Sequence, residues 1–162
     1  MASFVRKIPP ACFLVSLVRL VFAKLRYSKE YDGKRIKMKN GETYTIFRHV
    51  ERHPRVGDKE AVIFIARFKF ARLSFRANRF ISQIPMLLIT GFPGFQAKMY
   101  AIDKDNGYWQ GIYQWESEGA LEEYKKSFVL RMMNKRAVTG TVSYSQRSGK
   151  SLDEFIEELI VS

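Results

Sequence analysis

Gly94–Tyr124 reads GFQAKMYAIDKDNGYWQGIYQWESEGALEEY, and this stretch decides the fold. Phe95–Asp103 and Tyr108–Glu116 are expected as strands joined through the hairpin loop Lys104-Asp105-Asn106-Gly107. Ser117 then caps a helix. Glu118, Glu122 and Glu123 lie near its start and Lys125, Lys126 and Arg131 later, the order that a helix dipole favours. Leu121, Tyr124, Phe128 and Met132 give this helix an apolar stripe.

Working outward, Ala61–Leu73 reads as a strand, with Val62, Phe64, Ala66, Phe68 and Phe70 on one face and Ile63, Ile65, Arg67 and Lys69 on the other. Ser74 is an N-cap for a helix to about Ile84, ended by Pro85. The following run IPMLLITGFPG is expected as an apolar loop that something must cover. Downstream, Val138–Ser145 is a last strand closed by Arg147-Ser148-Gly149. Ser151-Leu152-Asp153-Glu154 is a capping box opening a short terminal helix. From Ala61 the order is β-α-β-β-α-β, an α+β arrangement of ferredoxin-like type.

The first quarter differs in composition. Of the net charge of +12, residues 1–40 carry +8, with ten Lys/Arg against Glu30 and Asp32. Such a segment suits an anionic surface. Residues 11–26, ACFLVSLVRLVFAKLR, form an amphipathic helix with Ser16, Arg19, Ala23 and Arg26 on one line and Phe13, Leu14, Leu17, Val21 and Leu25 broadly opposite. The apolar run is short for a membrane span, and Arg19 interrupts it. The readings, in order, are a helix docked on its own domain or a partner, a membrane-surface helix, and a signal peptide with Arg6 and Lys7 before it. Asn40-Gly41 makes residues 34–48 a β-hairpin with a two-residue loop, pairing Lys39 with Glu42 and Lys37 with Tyr44, and this hairpin reads as an appendage. The connection through Arg52, His53, Pro54, Arg55 and Gly57-Asp58 marks a boundary. The expected organisation is therefore a basic extension, residues 1–59, and an α+β domain, residues 60–162.

Alternation sorts the strands into an apolar set and a second face of polar character. The candidate pocket on that second face is Arg67, Lys69, Lys98, Tyr100, Gln110, Gln114 and Thr141. There Tyr100 could donate to a carbonyl or developing enolate, Gln110 and Gln114 could orient it, and Lys98 or Arg67 could offset negative charge. Trp109, Tyr113 and Trp115 are assigned chiefly to the helix-covered core.

The run from Gly94 to Tyr124, followed by VTGTVSYS and a capped terminal helix, resembles the dimeric α+β barrel superfamily, including antibiotic-biosynthesis-type monooxygenase-like proteins. The resemblance covers about residues 61–160. It implies a homodimer with a small-molecule pocket in each subunit. Known activities include cofactor-independent oxygenation and haem degradation, so an aromatic or enolic substrate is the expectation, and whether this chain is an enzyme stays open. No catalytic residue carries over.

Other chemistry finds little support. There is no Walker or Rossmann phosphate loop and no G-x-S-x-G elbow. The single Cys12 rules out a disulfide framework or a multi-cysteine zinc site, and fits a reducing, cytoplasmic setting. His49 and His53 flank a proline-containing connection and make a poor metal pair, although either suits acid/base work. No cofactor is called for, which leaves haem and flavin open. The aromatic-rich consensus strand of an RNA-recognition motif is missing, so nucleic acid is not the expected partner. The alternative function is a non-catalytic peripheral membrane or hydrophobic-ligand-binding protein that meets anionic membrane through residues 11–39.

Overall fold

The structure is a computed structural model, and it describes residues 9–21, 24–54, 60–70 and 74–161. Arg6, Lys7, Ala23 and the Arg55–Asp58 part of the expected boundary lie outside the described residues, as do the side chains of Ser16 and Arg19.

Strands β1 (Leu25–Ser28), β2 (Arg35–Lys37), β3 (Thr43–Arg52), β4 (Val62–Phe68), β5 (Phe95–Ile102), β6 (Trp109–Trp115), β7 (Ser143–Ser148) and β8 (Ile160–Val161) form one antiparallel sheet. Its order is β7-β4-β6-β5-β3-β2-β8, with β1 paired to β3 beside β2. The run β7-β4-β6-β5 is the ferredoxin-like order expected from β-α-β-β-α-β. Helices are α1 (Pro9–Val21), α2 (Phe75–Ile81), α3 (Gln83–Thr90), α4 (Glu118–Lys125), α5 (Phe128–Arg136) and α6 (Leu152–Glu157). α4 packs on β4 and β6, α5 on α3, and α1 on α3 and β1.

Three serines do the capping expected of them. Ser74, Ser117 and Ser151 sit in extended conformation and accept from Ala77, Ala120 and Glu154 N–H, and the Ser151–Glu154 box is complete. Ser127 does the same for α5, accepting from Leu130 N–H, and this splits the single helix expected after Ser117. Pro85 does not end a helix. It stands third in α3, where a first-turn N–H needs no intrahelical acceptor, so most of the expected apolar loop is helical.

The hairpin expected as an appendage is part of the sheet. β3 pairs along β5 from Thr45↔Ile102 to Glu51↔Ala97, so the sheet crosses the expected boundary. Its register also differs by one residue. Ile36 faces Tyr44, Met38 N–H donates to the Glu42 carbonyl (2.9 Å) and Gly41 N–H to the Met38 carbonyl (2.9 Å). This is a three-residue loop with Gly41 at φ +85°, the geometry that places a glycine bulge after the turn. The last strand is displaced too. Val138–Thr141 is a turn about Gly140, tied by Thr141 Oγ1 donating to the Val138 carbonyl (2.7 Å), and apart from the single Phe70↔Ala137 bridge the pairing starts at Ser143.

Both faces of the sheet are apolar. One carries Phe64, Tyr113, Trp115, Phe68 and Trp109 under α3, α4 and α5. The other carries Ile63, Ile65, Met99 and Ile112 beneath Leu152, Phe155 and Ile156 of α6. The second face expected from alternation loses the polar residues of β5, because that strand is bulged. Phe95 pairs with Trp115 and Ala97 with Gln114, which leaves Gln96 as the extra residue. Beyond it the parity inverts. Ala97, Met99 and Ala101 join the α6 side, and Lys98, Tyr100 and Ile102 turn towards the helix layer.

Candidate active site

The inverted parity brings Lys98 and Tyr100 under the helices. Across the sheet Lys98 faces Tyr113, and Tyr100 faces Gly111, which in turn faces Ala66. The two small residues leave a depression in the sheet. A Cβ on Gly111 would lie 2.8 Å from Tyr113 Cε2 and 3.0 Å from its hydroxyl, so glycine is what lets that ring lean over the neighbouring position. The depression opens as a narrow cleft of about 40 Å³. Phe68, Phe70 and Trp109 line it on the sheet side, and Pro85 and Ile89 of α3 with Val129, Met132 and Met133 of α5 roof it. Such a lining, mostly apolar with a few polar groups, is what a small-molecule site requires.

The polar groups are few and buried. Lys98 is 4% exposed, with Nζ 4.0 Å from the Tyr100 ring centroid and 4.2 Å from that of Tyr113. Burial drives its ammonium well below the ordinary lysine value, and Arg48 adds repulsion in the same direction. Burial pushes the Tyr100, Tyr113 and Tyr124 phenols upward. The Tyr100 and Tyr124 hydroxyls have no hydrogen-bond partner of good geometry among the described residues. Arg48 stands over the Tyr100 ring at 5.2 Å, held by the Ser82 hydroxyl (3.1 Å) and the Arg79 carbonyl (3.2 Å). At the mouth Arg136 lies over Phe70 (4.8 Å) and donates to Asn78 Oδ1 (3.4 Å).

The expected pocket set is therefore divided. Lys98 and Tyr100 meet in the cleft, joined by Trp109. Arg67 is on the opposite face, where it forms a bidentate pair with Glu42, Nε to Oε2 at 2.8 Å, and stacks 3.2 Å from the Tyr108 centroid. The Arg67 hydrogen bond holds the Glu42 carboxyl down at about 2, against the cost of burial and with help from Tyr44 and Asn40. Gln114 accepts the Leu152 N–H (2.8 Å) and so seats α6. Gln110, also buried, borders the cleft with Lys98 and Tyr100 as well as the opposite face near Arg67. Lys69 and Thr141 sit past the end of β4, joined by Lys69 N–H donating to Thr141 Oγ1 (3.1 Å), with Lys69 Nζ also over Tyr108 (4.4 Å). His49 is buried beside Tyr31 (5.9 Å, edge-on), not in the cleft. Sequence reasoning missed Gly111, Tyr124 and Arg136 as site residues. A glycine inside an aromatic-rich strand was the available signal for the first.

No protein-family model matches the sequence, and no similar curated protein is found. Solved structures do match. An uncharacterised ferredoxin-fold protein from Listeria monocytogenes, related to antibiotic biosynthesis monooxygenases, aligns with a TM-score of 0.51 at 12% identity over 84% of this chain and 89% of that one. A heme-degrading enzyme from the same organism aligns with a TM-score of 0.51 at 13% identity, covering 83% and 93%. A monooxygenase-like protein from Listeria innocua aligns with a TM-score of 0.53 at 9% identity, covering 86% and 88%. The chain has the ferredoxin-like fold shared by proteins related to antibiotic biosynthesis monooxygenases.

Proposed function

We propose that this protein binds a small aromatic or enolic molecule in the cleft between sheet and helices and acts on it as a cofactor-independent, monooxygenase-like enzyme. The observation that supports this most is the buried Tyr100 hydroxyl, without a hydrogen-bond partner of good geometry among the described residues, in a cleft walled mostly by aromatic and aliphatic side chains. A buried phenol of raised pKa is a hydrogen-bond donor for an oxygen that gains negative charge. On an activated CH₂ group the substrate carbanion supplies the electrons. One atom of dioxygen becomes the new carbonyl oxygen, and the other leaves as water with the two hydrogens. Among the described residues no histidine or cysteine lines the cleft, so a haem iron there would have only tyrosine or methionine side chains as ligands. Incubation with electron-rich phenols and enols under isotopically labelled dioxygen tests the reading. Labelled product that disappears in Tyr100→Phe supports it, and unlabelled substrate throughout refutes it.

A second reading has its own observation. α1 docks on α3 through Cys12, which is buried, while Phe13, Leu14, Leu17 and Val18 are between 44% and 60% exposed. Phe13, Leu14 and Leu17 of the expected apolar stripe therefore face outward, on the basic end of the chain; the Val21 side chain lies outside the described residues, and Leu25 belongs to β1 rather than to this helix. Among the described residues no helix is long and apolar enough to cross a membrane. We propose that this face lies on anionic membrane surfaces. Vesicles containing anionic lipid should co-sediment the protein, less so with added salt, and Leu14→Glu/Leu17→Glu should abolish this. Equal binding to neutral vesicles would count against it.

A further inference from the structure

The charge of the cleft says what kind of aromatic molecule it takes. Among the described residues its walls hold two cations, Lys98 in the depth and Arg136 at the mouth, and no aspartate or glutamate. Among the described residues neither a carboxylate nor a hydrogen-bond acceptor serves the Lys98 ammonium, which has only the faces of Tyr100 and Tyr113. An ammonium so placed is poorly compensated, since ring faces replace only part of its lost hydration. Two responses are open to it: to stay a neutral amine while the cleft is empty, or to pair with an anion brought in from outside. Around it stand Arg48, Tyr100, Tyr113, Tyr124 and Arg136, all cationic or phenolic. None of them offers a competing negative charge at ordinary pH.

Resting on the cleft reading above, we propose that the site selects aromatic ligands with one acidic oxygen, a phenol, enol or aryl carboxylic acid, and holds each as its anion against Lys98. For a ligand that arrives protonated, its O–H bond breaks and the proton goes to the Nζ lone pair, leaving an ammonium–oxyanion pair with no change in oxidation state. A carboxylic acid already ionised in water takes the same place while Nζ gains its proton from solvent. The pair forms where water is scarce, so it is stronger than the same pair at a surface. Tyr100 lines the same cleft, and its phenol is the second donor that this proposal gives that oxygen. Lys98 is thus the residue that fixes the ligand's charge, and for a phenol or enol it prepares the electron-rich anion that dioxygen attacks.

The test uses 4-nitrophenol, whose anion absorbs in the visible while the neutral form does not, and its neutral methyl ether 4-nitroanisole. The pH is held below the phenol's own pKa. Binding to the full-length wild type is followed by difference absorbance and by calorimetry. The expected result is a visible phenolate band on binding and an affinity for the phenol about ten-fold or more above that for the ether. Lys98→Met, which puts an unbranched apolar chain between the same two rings, should lose the band and the preference yet bind the ether at least as well. The phenol bound without the band, or a preference that survives Lys98→Met, overturns the inference and leaves the cleft reading standing. If neither compound binds the wild type, the cleft reading falls and this inference with it. The band is read on the wild type alone, so the test does not depend on the variant folding.

Discussion

Gly94, at the entry to β5, offers a quantitative check on how the sheet and α4 meet. It has φ +77°, and a Cβ added there would lie 2.3 Å from Ala120 Cβ in α4 and 3.3 Å from Glu116 Cγ. Carbon atoms in contact prefer about 3.5–4.0 Å, so one element must withdraw by roughly 1 Å. Ala120 Cβ, the atom in real collision, hangs directly on the backbone and cannot swing aside. Gly94→Ala should therefore cost about 1–2 kcal/mol for the left-handed conformation and about 1–3 kcal/mol for overpacking, together about 2–5 kcal/mol. That is a large part of the roughly 5–15 kcal/mol that holds a domain of this kind folded. Urea unfolding followed by circular dichroism measures it as a lower midpoint at unchanged slope. Repeating the substitution in an Ala120→Gly background cancels the helix cost of that glycine and removes the collision, so only the conformational part of about 1–2 kcal/mol should remain. An equal penalty in both backgrounds would show that β5 and α4 do not approach as described.

Three further outcomes follow from groups already placed. Gly111→Ala forces the Tyr113 ring aside, so it should lower stability by about 1–3 kcal/mol and weaken aromatic probes in the cleft, seen as lost quenching of tryptophan fluorescence; unchanged quenching would contradict the site. Glu42 is held at about 2, below its unfolded value, so its pairing stabilises the fold above the ordinary glutamate range and that contribution disappears as pH falls through about 2. Because the pair is partly exposed, Glu42→Gln should cost about 1 kcal/mol at neutral pH and nothing below pH 2, by urea midpoint. Tyr100, Tyr113 and Tyr124 are raised in the fold, so the unfolded chain ionises first and stability should fall as pH rises past the ordinary tyrosine value of about 10. Ultraviolet titration of the native protein should then leave some of its eight tyrosines protonated when the denatured chain has ionised all of them; matching curves would refute this.

The elements that were legible in the sequence are those with a local chemical signature. Ser74, Ser117 and Ser151 announce helix starts through hydroxyls that accept from the first-turn N–H groups, and Asn106-Gly107 lies in the loop that joins β5 and β6. Ser127 carried the same signature but was hidden inside an apolar stripe that continued across it. The candidate site was legible only in part. Lys98 and Tyr100 are expected on one face of the sheet with Gln110 and Gln114, and the structure turns the first two towards the helix layer while Gln114 stays on the other side. Strict alternation from Phe95 is the natural reading, and nothing in the types of Phe95, Gln96 or Ala97 marks an extra residue. The bulge is decided by pairing with β6 and by what each face must cover. Arg136 and Tyr124 come from α5 and α4, and their arrival at the cleft depends on how two helices pack, which no local pattern records.

The extra residue at Gln96 also bears on how such a site changes over time. Which side chains of β5 line the cleft is a matter of counting from that point, odd or even. Losing one residue there would exchange Lys98 and Tyr100 for their neighbours in a single event, turning a cationic, phenolic wall into one of alanine and methionine. Insertions and deletions, more than point substitutions, are then the step by which chains of this architecture can change what they accept. Residue-by-residue comparison across such a step would pair cleft positions in one chain with core positions in the next.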